Sequence, residues 1–253
     1  MIITNIRLDL SRSHRILWLM EILELDYEVK VYLREPKTWR SPKELKAVHP
    51  SGKSPVLEIR YANGAPDKKL VESGYIIQHL LRHYDPQHLL VPEDPEEQEN
   101  VDYYLHYAEG TLQPLLVSLL INNVATKIAP MGTKTLAKMV TKAINSGYYA
   151  TEWKMNMDYL ESMLQKNGTG YFVGNQLTGA DIILSFPVYE NVFDNEAEVE
   201  NFVGSKLNLS KTWPHLYAWS QMISEDPIYI KIDEMMEDLV RRKVDRESKK
   251  GRF

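Results

Sequence analysis

The sequence predicts an α/β domain followed by an all-helical domain. Three observations carry this expectation. The first 85 residues alternate between strand and helix periodicity. A proline-rich stretch follows, and beyond it only the helical period recurs. Ile2 to Leu10 alternates apolar and polar residues and reads as a strand. Ile16, Leu17, Leu19, Met20 and Leu23 then recur at helical spacing, and Tyr27 to Leu33 alternates again. Pro42 to Val48 reads as a short helix. Val56 to Arg60 and Lys69 to Val71 read as strands joined through Asn63-Gly64, a turn dipeptide. Ile76, Ile77, Leu80, Leu81 and Tyr84 mark a further helix. The order is βαβαββα, with one parallel unit and one hairpin in a single sheet.

Asp85-Pro86 through Pro92-Glu93-Asp94-Pro95 holds three prolines and few large apolar residues, and reads as a linker. The expected domains are 1–86 and 95–253. In the second, Val101, Tyr104, Leu105, Ala108, Leu112, Leu115 and Leu116 form a helical stripe. More helical patterns follow near 134–145, 150–165, 180–190 and 213–224, and no strand pattern appears after residue 95. Asn195 to Asn208 is acidic and irregular, a loop or short helix. Pro187 is expected to kink or end the helix it interrupts.

The chain has 253 residues, 43% of them hydrophobic and 26% charged, ordinary for a protein that buries a core. A net charge of −5 argues against nonspecific nucleic-acid binding. With no cysteine there is no disulfide, thiolate-bound metal or thiol nucleophile, so thiol chemistry needs a thiol brought by the substrate. No apolar run approaches a membrane span, and the N-terminus lacks a signal-like apolar region, so a cytoplasmic protein is expected. Val240 to Phe253 is dominated by charge. It reads as a solvated or frayed tail, with contact to an anionic membrane surface as the other reading.

Chemistry concentrates in the first domain. Ser54-Pro55 opens the strand Val56 to Ile59, a position where proline is tolerated. A cis bond there would turn strand-edge groups outward to pair with an extended peptide. Glu72-Ser73 falls where a strand meets a helix, whose N-terminal N–H groups and dipole suit a carboxylate. Together these describe a site for a small acidic peptide. Ser11 lies between the first strand and the first helix, and reads either as a helix cap or as a donor to a thiolate held there. Ser13, two residues on, is the better helix cap. His14 reads as a surface residue of that helix. Arg15 is a cation in a first turn, opposed by the dipole, and so points to a carboxylate or ligand partner. Lys53 reads as a solvated loop lysine or as a partner for a ligand carboxylate. His79 and His83 have two-ligand spacing but no His-Glu-x-x-His motif, and no metal is expected. Thr178-Gly179-Ala180-Asp181 has capping-box spacing with Asp in place of Glu, a structural device. No Gly-x-Ser-x-Gly elbow is present, against a serine hydrolase.

These motifs, with Ser-Arg-Ser-His-Arg-Ile-Leu-Trp-Leu at 11–19 and Leu-Thr-Gly-Ala-Asp-Ile at 177–182, resemble the soluble glutathione S-transferases. The resemblance is to the fungal and bacterial branch with serine in the active-site turn. It covers most of the chain, best over the first 85 residues and loosely around 121–150 and 190–212. It implies a thioredoxin-like N-terminal domain that binds glutathione and a helical domain that forms the electrophile pocket. It further implies Ser11 as the thiolate donor and Arg15, Lys53, Ser54, Pro55, Glu72 and Ser73 as glutathione-binding residues. Tyr107 and Tyr103 would line the second-substrate pocket. Glutathione is then a substrate and no cofactor is implied. The partners are hydrophobic electrophiles or hydroperoxides and a second copy of the chain in a homodimer. The implied activity is conjugation, with glutathione-dependent peroxidase activity beside it. A noncatalytic glutathione- or ligand-binding relative, or a protein-interaction module of the same fold, is the alternative.

Overall fold

The computed structural model describes residues 1–9, 11–36, 38–203 and 206–249. By internal contact the chain divides into two units, 1–91 with 225–253, and 92–224.

The first unit is built on a four-stranded sheet in the order β2-β1-β3-β4. β1 (Ile2–Leu8) runs parallel to β2 (Tyr27–Tyr32) and antiparallel to β3 (Val56–Arg60), which pairs antiparallel with β4 (Lys68–Leu70). Between them lie α1 (His14–Ile22) and α2 (Lys43–Val48), and after β4 comes α3 (Ser73–Tyr84). This is the thioredoxin-like order. β1 is the central strand, and every residue in it after Ile2 is buried. On one face Ile6 and Leu8 pack with Leu45 of α2 and Val56 of β3, flanked by Tyr32, Val48 and Val71. At the β3–β4 turn Gly64 takes a φ of +79°, which a residue without Cβ adopts freely, and Asn63 Oδ1 accepts from Ala65 N.

The second unit is all helical among the described residues. Asp94 caps α4 (Pro95–Tyr107) by accepting from Glu96 N and Glu97 N, with Pro95 in the first turn where its missing N–H costs nothing. A π-helical turn, Ala108–Leu112, joins α4 to α5 (Gln113–Ile128). α6 (Lys134–Ile144) passes through a second π-helical turn, Asn145–Tyr149, into α7 (Ala150–Asn167). Then come α8 (Gly179–Leu184), a wide π-helical segment Ser185–Phe193, α9 (Glu196–Val203), α10 (Leu209–Thr212) and α11 (Pro214–Ser224). The regular α-helix gives way at Leu184, and Pro187 lies inside the π-helical segment that follows. Within this segment Asn191 Nδ2 donates to the Phe186 carbonyl at 2.8 Å. The 195–208 stretch holds α9 and ends at Asn208, the N-cap of α10; its residues 204 and 205 lie outside the described ones.

The charged C-terminal stretch differs most from expectation. α12 (Pro227–Lys249) is a 23-residue helix belonging to the first unit, packed on α1 and β2. Asp226 caps it, accepting from Tyr229 N (2.7 Å), and also accepts from Trp18 Nε1 (3.3 Å) of α1. Tyr229, Ile232 and Met236 are buried, so residues 240–249 continue an anchored helix and are no frayed tail. Leu10 of the expected first strand and residues 250–253 lie outside the described residues. No helix among those described is long and apolar enough to cross a membrane.

Candidate active site

Strand register assembles the candidate residues at one end of the sheet. Ile6 pairs with Val56, so two residues on Leu8 meets Ser54, and Leu8 N donates to Ser54 Oγ at 2.9 Å. Leu57 pairs with Leu70, and the same register carried on sets Pro55 opposite Glu72. The C-terminal ends of β1 and β4, the start of β3 and the N-termini of α1 and α3 thus share one edge. The Ser54-Pro55 bond is cis.

Three hydroxyls meet there. Ser11 Oγ lies 3.3 Å from Ser13 Oγ and 3.1 Å from Ser54 Oγ; Ser13 and Ser54 are 2.9 Å apart. Ser54 Oγ donates to the Ile6 carbonyl at 3.2 Å and accepts Leu8 N–H, fixing its orientation. With that proton committed, the relay runs from Ser11 to Ser13 to Ser54. Ser13 is fully buried, while Ser11 keeps 9% of its surface exposed. Ser13 occupies the N-cap position of α1, but its side chain makes no cap bond. Its hydroxyl serves the cluster instead, contrary to the capping role expected for it.

The other residues fall around this cluster. Arg15 is fully buried in the first turn of α1. Lys53 is exposed beside Gly52, whose φ is +58° and where an added Cβ would meet Lys46 Cγ at 2.9 Å. Glu72 has a φ of +69° and ψ of 116°, outside the ordinary range for a residue with a Cβ and costing about 1–3 kcal/mol. Glu72, not Ser73, is the N-cap residue of α3. Ser73 is buried as the first helical residue, so its N–H remains among those at the helix start without an intrahelical acceptor.

His14 was expected on the helix surface. It is buried, with its ring 4.2 Å from that of Tyr229 on α12. Burial, with the Arg7 charge nearby, pushes its pKa down to about 3. It is neutral at pH 7, so its 3.6 Å approach to Asp233 is no ion pair there. Sequence reasoning missed this contact because α12 was not foreseen as part of the unit. It also missed Arg34, whose Nε donates to Asp9 O and whose Nη1 donates to Trp39 O, both at 3.0 Å, tying the β1–α1 turn to the loop before α2. The hydroxyl of Ser54 was missed as well; only its backbone had drawn attention.

In the second unit Tyr107 is buried, its hydroxyl donating to Asn156 Oδ1 at 2.6 Å, and its ring stacks on the half-exposed Tyr103 at 5.5 Å. The capping box at 178–181 forms as expected. Asp181, fully buried, accepts from Thr178 N (2.9 Å), Thr178 Oγ1 (3.1 Å), Phe172 N (3.2 Å) and Trp219 Nε1 (2.9 Å). Burial pushes its carboxyl up to about 6, against the pull of these donors. No group of three or more potential metal-ligating side chains occurs among the described residues. His79 and His83 approach at 4.4 Å between rings, and His79 is buried, not on an exposed face.

A thioredoxin-like sheet with a hydroxyl-lined turn and two helix N-termini at one edge, followed by a helical unit, defines the two-unit fold of the thiol-handling transferases. Comparison with known proteins agrees. Residues 7–82 match the glutathione S-transferase N-terminal domain, and residues 122–232 match a glutathione S-transferase C-terminal domain. Glutathione S-transferase 1 of Saccharomyces cerevisiae is 36% identical over 88% of this chain and 90% of its own. A glutathione S-transferase structure from Actinobacillus pleuropneumoniae superposes with a TM-score of 0.67 at 31% identity, covering 93% of both chains. A glutathione transferase homolog from Lodderomyces elongisporus, with two GSH per subunit, gives 0.69 at 20% identity over 93% of this chain and 99% of that one, a likeness of fold. The chain belongs to the glutathione S-transferase family, and is related to its fungal and bacterial members. It is an enzyme of the transferase type, one that activates the thiol of glutathione for conjugation to electrophilic hydrophobic compounds.

Proposed function

We propose that this is a serine-type glutathione transferase in which Ser11 Oγ–H donates to the glutathione thiolate. The observation that carries the reading is the Ser11–Ser13–Ser54 cluster at the sheet edge. When sulfur arrives, Ser11 turns its proton outward. Ser13 can then turn its own proton onto Ser11 Oγ, since Ser54 is held by Ile6 O and Leu8 N without it. A donor in such a chain needs no water to fill its lone pair. A hydrogen bond to a charged group contributes about 1.5–3 kcal/mol. At about 1.36 kcal/mol per pKa unit, this lowers the thiol by one to two units from about 8.5. The N-terminus of α1 adds to the same effect.

Glutathione then lies as an extra extended segment along Ser54 and Pro55. Its γ-glutamyl carboxylate takes Ser73 at the start of α3, and its ammonium takes Glu72. Its glycyl carboxylate takes Lys53, and Arg15 supplies positive potential from within. The strained backbone of Glu72 supports this, because such a conformation persists where a precise group must be held. Residues 1–86 form the glutathione-binding domain in this reading. Tyr103 and Tyr107 of the helical domain meet the hydrophobic electrophile. The same thiolate reduces organic hydroperoxides to alcohols, with a second glutathione closing the disulfide. The enzyme works in the cytoplasm as a homodimer. The test is retention on immobilised glutathione followed by conjugation of a generic aryl halide, in wild type and Ser11→Ala; retention with unchanged turnover in the variant would remove Ser11 from the mechanism.

A further inference from the structure

The segment from Gly110 to Thr151 contains no aspartate or glutamate and four lysines, Lys127, Lys134, Lys138 and Lys142, within an otherwise acidic chain. It forms the hairpin of α5 and α6. α6 is strongly amphipathic by sequence, yet none of its residues is buried. Such a helix ordinarily turns its apolar side to the core. Here the polar side faces inward: Thr141 Oγ1 lies 3.0 Å from Thr126 Oγ1 of α5, and Asn122 Nδ2 donates to Asn145 Oδ1 at 2.6 Å. Leu136, Met139, Val140 and Ile144 face outward, with Met139 at 63% exposure. At the tip, Ile128 is 75% and Met131 98% exposed.

Lys138 and Lys142 line the inner polar groove with Thr141 and Glu200, but at the tip Lys127 and Lys134 flank the exposed Ile128 and Met131 with no carboxylate in the segment, and this apolar, cationic tip matches an anionic lipid surface in both of its properties. Apolar groups enter the headgroup boundary while lysines meet anionic phosphates. A second copy of the hairpin matches only one of them, since an isologous contact through the tip would bring Lys127 and Lys134 of both copies together. We propose that the α5–α6 hairpin docks this enzyme reversibly on an anionic bilayer surface, with Met131 and the outer face of α6 entering the interface. Neither helix is long enough to span, so the attachment is peripheral.

Co-sedimentation of the full chain with phosphatidylcholine vesicles, with and without phosphatidylserine, tests this. Binding is expected to the anionic vesicles and to weaken with added salt. Met131→Asp/Met139→Asp should lower it at least tenfold, with the melting temperature and aryl-halide conjugation unchanged. Lys127→Ala and Lys134→Ala should each lower it about fivefold on anionic vesicles only. No binding to anionic vesicles at low salt would overturn the proposal. So would unchanged vesicle binding with a lower light-scattering mass in Met131→Asp/Met139→Asp, which would make this face a contact between copies. The outcome is independent of retention on glutathione.

Discussion

Each unit contains a buried polar cluster, around Ser11 in the first and Asp181 in the second, and the two are built on opposite principles. Around Asp181, four donors converge on a carboxylate that can only accept while ionised. Three of those donors are N–H groups whose direction the fold fixes. Around Ser11, three hydroxyls share protons, and each can donate or accept. The first cluster is saturated and locks α8 to α11 and to the loop before it. The second can reorient around an incoming group at little cost. Saturation makes a structural element, and interchangeable donors make a site.

The sharpest way to break this comparison is Asp181→Ala. It leaves several buried donors without an acceptor, each costing about 1–3 kcal/mol. A loss on the order of 3–5 kcal/mol is expected, read as the shift in denaturation midpoint. A loss below about 1 kcal/mol would mean the donors find other partners and the cluster is not saturated. Ser11→Ala should do the reverse, lowering conjugation at neutral pH at least tenfold with stability and glutathione affinity nearly unchanged. The pKa of bound thiol, followed by thiolate absorbance, should rise in parallel. Ser13→Ala should cost less activity than Ser11→Ala; the opposite order would transfer the thiolate contact to Ser13.

His14 gives a pH test in the same unit. Its folded pKa of about 3 lies below the unfolded value of 6.5. Between these values the unfolded chain binds the proton and the folded chain does not, so stability falls as pH drops through this window. From pH 7 to 5 the expected loss is about 2 kcal/mol at about 1.36 kcal/mol per unit. Asp181 acts with the opposite sign between 6 and 3.8, but equally in wild type and His14→Gln. Urea titrations at pH 7 and 5 should therefore show a smaller loss in the variant. Identical losses would mean that His14 protonates freely in the fold. The smallest effects are expected from Glu72→Ala and Lys53→Ala, which should raise KM for glutathione several-fold with kcat nearly constant, the mark of uniform binding. Unchanged KM in both would leave the peptide-binding edge without its end contacts.

Much of the first unit was legible because its signals are local. Alternation marked β1 to β3, Asn63-Gly64 marked the hairpin, and Ser54-Pro55 and Glu72-Ser73 marked two chain reversals that the sheet register then brought together. The limits were long-range. Ser13 is a cap by position, yet its hydroxyl is diverted by Ser54, 41 residues away. His14 looks solvent-facing in its own helix, and is buried with Tyr229 of α12 packed against its ring.

By itself, the sequence determined the order of strands and helices, the division into a sheet-containing and a helical region, the capping box at Asp181, and the family's site residues as candidates. Periodicity, turn chemistry and caps act within a few residues, so they can be read in one dimension. Tertiary structure alone decided which of Ser11 and Ser13 retains exposure, the role of the Ser54 hydroxyl, the return of α12 to the first unit, and the outward turn of α6. Each depends on what a distant segment places against the residue, and neither the pairing register of strands nor the docked face of a helix is set by its own residues alone.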